Sequence, residues 1–270
     1  MTQVLRVGVA GFGTIGRVVA KALDEGMEGL ALSAIASGNE HKARQAMQQL
    51  KTPVALLNAQ QLAREADVVV DCAPTAAFMD IAEPVLSAGK TLITVSGAAI
   101  LQNPKVVELA RRCHGRIILA TGAFLGLDAV RAAALGTIYS VSMVTRKPPT
   151  SLVKAKYIVE NQIELLGLTE SLRVFKGSAA EGARLFPSNV NVAAALGLAG
   201  VGADNTELEI WADPDKTRNT HTIRVDADSA SFEMTIENVP TVENPGTGRI
   251  TALSVIEALR SLTAPLRVGS

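Results

Sequence analysis

The chain has 270 residues, 48% of them hydrophobic and 19% charged, enough for one large or two ordinary domains with a buried core. Its 26 Lys and Arg balance 26 Asp and Glu, and aromatic residues make up only 3%. These values exclude a basic footprint for nucleic acid, a stacking platform for single strands, and electrostatic attraction to an anionic membrane.

The opening MTQVLRVGVAGFG runs into a strand-like pattern without a basic region or cleavage-type site, so no secretory signal is expected. The longest apolar stretch, NVAAALGLAGVG, falls short of the ~20 residues a spanning helix needs. Cys72 and Cys113 have neither metal-site nor disulfide spacing. A cytoplasmic protein without a metal site is the expectation.

Up to residue 121 short apolar runs alternate with helical patterns. RVGVAGFG is a strand ending in glycines, and TIGRVVAKALDEG is an amphipathic helix stopped by Gly26. LALSAIAS is the next strand, HKARQAMQQL a helix, PVALL a short edge strand and QQLAREA a helix. DVVVDCAP, TLITVSGAA and RIILATGAF follow as buried strands separated by helical segments. Such a series predicts a doubly wound parallel sheet, an α/β fold of the Rossmann type, over residues 1–121.

After Gly122 the rhythm changes. YSVSMVTRK, TELEIWADP, HTIRVDAD and SFEMTIEN alternate polar and apolar residues, predicting a mostly antiparallel sheet with one covered face. The polar ADPDKTRN predicts a hairpin between the second and third of these strands. Helices are expected at 177–184, 192–198 and 252–262. The second domain is thus an α+β unit over residues 122–245, and a C-terminal helix within 246–270 packs back on the first.

GFGTIG places Gly11, Gly13 and Gly16 in a G-x-G-x-x-G array between a strand and a helix. Gly11 permits the turn, Gly13 lets the backbone approach a pyrophosphate, and Gly16 allows close helix–strand packing. The N–H groups of Thr14, Ile15 and Gly16 open the helix toward the phosphates. At the end of the second strand, where an acid would bind a ribose 2′-OH, stands Ser37, with Lys42 and Arg44 following. Both NAD and NADP are therefore expected as cofactors. The strand ends at Ala73 and at Ser96-Gly97-Ala98 lie at the carboxyl edge of the sheet, where small residues keep a nicotinamide cleft open, although they equally well serve only to turn the chain.

Of the three histidines, His41 and His114 sit in polar surroundings and read as surface residues. His221 begins a strand; a pKa near neutrality there would suit general acid/base work, and a structural role is the alternative. In FPSNVN, Ser188 or Asn189 could cap the next helix, and the asparagines flanking Val190 could present amides to a ligand.

GFGTIG, DVVVDCAP, ATGAFLGLDAV, TRKPP, FKGSAAEGARLFPSNVNVAAALGLAG and ADPDKTRNTH, spread over the whole chain, resemble the L-aspartate dehydrogenases that feed NAD biosynthesis. The resemblance implies a homodimer that oxidises L-aspartate to iminoaspartate, or runs the reductive amination of oxaloacetate with ammonium. It implies cofactor contacts at Ala123 and Asn191 and an active-site role for His221. Phe124 departs from the isoleucine expected after Ala123. Arg146, Lys147 and Arg184 are the basic candidates for the substrate carboxylates, with solvated surface charges as the alternative. Rival readings are a reductase related to dihydrodipicolinate reductase or homoserine dehydrogenase, and a non-catalytic dinucleotide sensor. The first lacks its histidine- and lysine-rich segment here, and a sensor would need no proton-transfer histidine.

Overall fold

The computed structural model describes residues 4–124, 126–187, 190–244 and 246–269. The chain folds as two units, Met1–Gly122 with Thr251–Ser270, and Ala123–Ile250.

The first unit holds strands β1 (Leu5–Ala10), β2 (Leu30–Ala36), β3 (Ala55–Leu57), β4 (Val68–Asp71), β5 (Thr91–Thr94) and β6 (Arg116–Leu119). They form one six-stranded sheet in the order β3-β2-β1-β4-β5-β6, with every pairing parallel. The order reverses between β1 and β4, which makes that point the crevice where such sheets receive ligands. Helices α1 (Thr14–Glu25), α2 (Glu40–Met47), α3 (Ala59–Glu65), α4 (Phe78–Ser87), α5 (Gly97–Gln102) and α6 (Lys105–Arg112) connect them.

Both sheet faces are covered, which is why β4 reads as an unbroken apolar run rather than an alternation. One core joins Val69 and Leu92 to Leu62 of α3, Phe78, Val85 and Leu86 of α4, and Val106 of α6. The other joins Val7, Val9 and Ile93 to Val19, Ala20 and Leu23 of α1, and to Val255 and Leu259 near the C-terminus. Local chemistry sets the helix ends: Asn58 and Gln61 form a capping box at α3, and Gly26, at φ 112°, ends α1.

In the second unit, α7 (Leu127–Ala133) leads into β7 (Ile138–Lys147), followed by α8 (Lys156–Glu160), β8 (Leu172–Ser178), α9 (Ala179–Leu185), α10 (Asn191–Ala199), β9 (Glu207–Ala212), β10 (Asn219–Ala227) and β11 (Ser231–Asn238). Helix α11 (Arg249–Arg260) closes the chain. The sheet order is β11-β10-β7-β9-β8; β7 and β9 run parallel and the other three pairings are antiparallel. Strand β8 was not foreseen from the sequence. Its register shift between Arg173 and Phe175 breaks the clean alternation by which strands are recognised.

The expected hairpin across ADPDKTRN is not formed. Strands β9 and β10 both pair with β7, so the polar segment passes the end of β7 instead of folding β10 back on β9. The hairpin is β10–β11, closed by Ala227 N–H donating to the Ala230 carbonyl at 3.1 Å. On β7 the alternation buries Val141, Met143, Thr145 and Lys147. The same face carries Ile223 and Val225 of β10 and Leu208 and Ile210 of β9. The opposite face is polar, with Arg224 paired to Glu233 and Lys176 bridging Glu207 and Glu209.

Candidate functional site

In the first unit the geometry converges on the turn from β1 to α1. Gly11 has φ 89°, and a Cβ there would lie 2.5 Å from the Ala73 nitrogen. A Cβ on Gly16 would lie 1.9 Å from the Gly11 carbonyl oxygen, so the helix sits on the turn as only glycine allows. Around Gly13 the demand is opposite: nothing lies within 4 Å of its Cβ position. No side chain caps α1 there, and the first-turn N–H groups of Thr14, Ile15 and Gly16 form the positive end of the helix dipole. An open backbone approach, closely packed flanks and an uncapped helix start fit a dinucleotide's pyrophosphate.

Two further predicted residues stand beside this turn. Ser37 follows β2, and its hydroxyl accepts from Asn39 N–H at 3.3 Å; the Gly11 N–H donates to Ala36 at 2.8 Å, tying the two strand ends together. Lys42 is exposed, whereas Arg44 pairs with Glu40 on its own helix at 3.2 Å. Ala73 is held by Asp71, whose carboxylate accepts the Ala73 N–H at 3.0 Å and the Thr94 hydroxyl at 2.7 Å. Asp71 is fully buried, and that burial pushes its pKa up to about 6. Sequence reasoning read Asp71 only as a strand end; the signal was an acid closing an apolar strand.

His221 is the third residue of β10, in register with Thr145 of β7, and is only 4% exposed. Its Nδ1 lies 3.0 Å from the Thr145 hydroxyl. Burial, reinforced by the charge of Lys147, pushes its pKa down to about 3. The expected near-neutral value is therefore corrected: in the free protein the imidazole is neutral at physiological pH, because solvation of a cation is lost on this covered face. Lys147 is equally buried, and desolvation brings its pKa down to about 8.

The three basic candidates separate clearly. Arg146 points to the other face of β7, ion-paired with Asp213 at 3.0 Å and stacked 4.8 Å over the Trp211 ring. Arg184 is exposed in the last turn of α9. Lys147 alone of the three shares the face of His221.

Ala123 belongs to the second unit, where its carbonyl accepts from the Asn238 side-chain amide at 3.1 Å. Asn238 closes β11 opposite Asn219 of β10. Asn191 stands on a separate element, as the first residue of α10. Ser188 and Asn189 lie outside the described residues. His41 and His114 are exposed.

Comparison with known proteins decides the family. Residues 128–262 match the family described as aspartate dehydrogenase, C-terminal, and residues 11–120 match the homoserine dehydrogenase NAD-binding domain. An L-aspartate dehydrogenase of Bradyrhizobium diazoefficiens is 52% identical over 98% of this chain and 94% of its own length. The chain belongs to the L-aspartate dehydrogenase family. An L-aspartate dehydrogenase 3 of Bordetella bronchiseptica is 49% identical, covering 98% of both chains. The crystal structure of aspartate dehydrogenase from Thermotoga maritima superposes with a TM-score of 0.75 at 24% identity, covering 98% of this chain and 99% of that one, and shares the fold.

Phe124 stands where the resemblance led to an isoleucine. It is 1% exposed and forms part of the packed interior next to Ala123. Thr145 and Asn238 escaped the sequence reading because nothing short-range distinguishes a threonine or asparagine at a strand end. Only cross-strand pairing puts one beside His221 and the other on Ala123.

Proposed function

We propose that the protein is an L-aspartate dehydrogenase that oxidises L-aspartate to iminoaspartate, and runs the reductive amination of oxaloacetate in reverse. Near-full-length likeness to L-aspartate dehydrogenases carries this reading. A bound nicotinamide supplies the hydride chemistry, accepting from or donating to the substrate Cα. The residues that would hold the cofactor are Gly11, Gly13, Thr14, Ile15, Gly16, Ser37 and Ala73 in the first unit, and Ala123 and Asn191 in the second.

His221 moves protons. With Nδ1 engaged by Thr145, Nε2 is the nitrogen that takes a proton from the substrate's ammonium group, or activates water toward the imine carbon. Thr145 fixes the plane of the ring. A dicarboxylate arriving beside the imidazole opposes the Lys147 field and raises its proton affinity toward the working range.

Both NAD and NADP serve, because Ser37 replaces the acid that would repel a 2′-phosphate. We extend the reading to a homodimer in the cytoplasm, as the family resemblance implies. Light scattering across a concentration series tests the dimer.

The deciding experiment mixes purified protein with oxaloacetate, ammonium and NADH or NADPH, and follows nicotinamide absorbance. Ammonium-dependent oxidation, reversed by L-aspartate with the oxidised cofactor, is the expected result. Cofactor binding without any turnover would overturn the reading in favour of a sensor.

A further inference from the structure

We propose that Lys147 is the residue that binds a carboxylate of the amino-acid substrate, directly beside His221. The proposal rests on the reading as an aspartate dehydrogenase for the identity of the substrate. Its argument comes from the second unit alone.

Lys147 closes β7 on the face that carries His221. The face of β7 that carries it also presents Val141, Met143 and Thr145, with Ile210 and Leu208 alongside on β9. A lysine on an exposed strand end would put its ammonium into water, but this one is 4% exposed. A cation held in such surroundings gains strongly from an anion brought to it, since a low dielectric magnifies the attraction. With its pKa near 8, Lys147 remains predominantly protonated at neutral pH.

Its neighbours fit the rest of an amino acid. Thr145, two residues earlier on the same face, pairs in register with His221, so the ammonium and the imidazole occupy adjacent rows at one end of the sheet. The charge of Lys147 is felt at His221. Asn219 precedes His221 by two residues on β10, and Asn238 faces it from β11. Among the described residues, the buried Oδ1 of Asn238 has no hydrogen-bond partner. The end of the sheet therefore offers a cation, a proton acceptor and an unsatisfied carbonyl-type oxygen, complementary to carboxylate and amine groups on one small molecule. Arg146, ion-paired to Asp213 on the opposite face, is excluded from this role by its geometry.

The test is the pair Lys147→Met, which keeps length and removes charge, and Lys147→Arg, which keeps charge. Wild-type turnover is measured first, so that failure of the aspartate reading is seen separately. In Lys147→Met the KM for oxaloacetate should rise by about tenfold to 100-fold, with the KM for reduced cofactor unchanged, and Lys147→Arg should recover part of the loss. Succinate, a dicarboxylate that cannot react, should raise the melting temperature of the cofactor-bound wild type but not of Lys147→Met. That readout holds even if oxaloacetate is not turned over.

Pyruvate identifies the carboxylate. If oxaloacetate loses its advantage over pyruvate in Lys147→Met, Lys147 binds the distal carboxylate. If both KM values rise together, it binds the one on the reacting carbon. An oxaloacetate KM within about twofold of wild type, with the succinate shift retained, would overturn the proposal.

Discussion

Substituting Gly13 and Gly16 separately by alanine distinguishes a glycine that packs from a glycine that admits a ligand. At Gly16 the added Cβ would meet the Gly11 carbonyl at 1.9 Å and Val9 Cγ1 at 3.3 Å. An ordinary carbon–oxygen contact is about 3.3 Å, so α1 must withdraw from the turn by more than ~1 Å. Overpacking of that kind costs about 1–3 kcal/mol, and Gly16→Ala should melt several degrees below the wild type. At Gly13 the backbone is extended, with φ −89°, and the Cβ position is open. Gly13→Ala should therefore keep its stability within about 0.5 kcal/mol. Its methyl group nevertheless stands where the pyrophosphate approaches the helix N-terminus. Loss of one charge-assisted hydrogen bond, about 1.5–3 kcal/mol, predicts a dinucleotide Kd raised about tenfold to 100-fold. Thermal unfolding reads the first effect and NADH fluorescence titration the second. Wild-type affinity in Gly13→Ala would place the pyrophosphate elsewhere and refute the assignment of this turn.

His221→Ala should lower turnover by about 10²–10⁴-fold while leaving NADH binding intact; a loss under about tenfold would remove His221 from proton transfer. The same histidine shapes acid stability. Its folded pKa near 3 lies below its ordinary 6.5, so as pH falls from 6.5 toward 3 the unfolded chain takes up a proton that the folded chain refuses, and stability is lost. Between about pH 6.5 and about pH 4.5 the wild type should lose roughly 2 kcal/mol more than His221→Gln in urea unfolding, and parallel curves would contradict the burial argument. The comparison with a variant is needed because Asp71, raised to about 6, binds its proton in the folded state and works in the opposite sense. For cofactor choice, Ser37→Asp should lower kcat/KM for NADPH by about tenfold or more with NADH little changed, and equal effects on both would show that Ser37 does not face the 2′ position.

The first unit was legible because its information is local. Strands such as β4 are continuous apolar runs, α1 has the amphipathic 3.6 period, and the G-x-G-x-x-G spacing encodes backbone requirements within six residues. All six strands of the parallel sheet, including the short edge β3, could be read one at a time. In the second unit β7, β9, β10 and β11 were visible by alternation, but the pairing among them was not. A polar link between two amphipathic strands looks the same whether it closes a hairpin or passes around a third strand. The pKa of His221 was also beyond reach, since it depends on how completely the face is covered and on a lysine 74 positions away in the sequence.

The misread hairpin and the misjudged histidine have a common origin. Had β10 folded back on β9, His221 would have faced β9, with β7 and its lysine on the far side of that pair. Because β7 inserts between them, its final residues Thr145 and Lys147 come to lie beside the first residues of β10, and His221 gains its hydrogen-bond partner and its electrostatic neighbour together. Parallel pairing of β7 with β9 requires a long connection, and residues 148–206 supply it, with β8, α9 and α10 among them. The FPSNVN segment lies in that connection, while the chemistry of His221 is set by the strand the connection leaves behind. A motif search finds the former. The pairing of β7 with β10, which no short motif records, explains why a histidine at this position is buried, neutral and beside a cation.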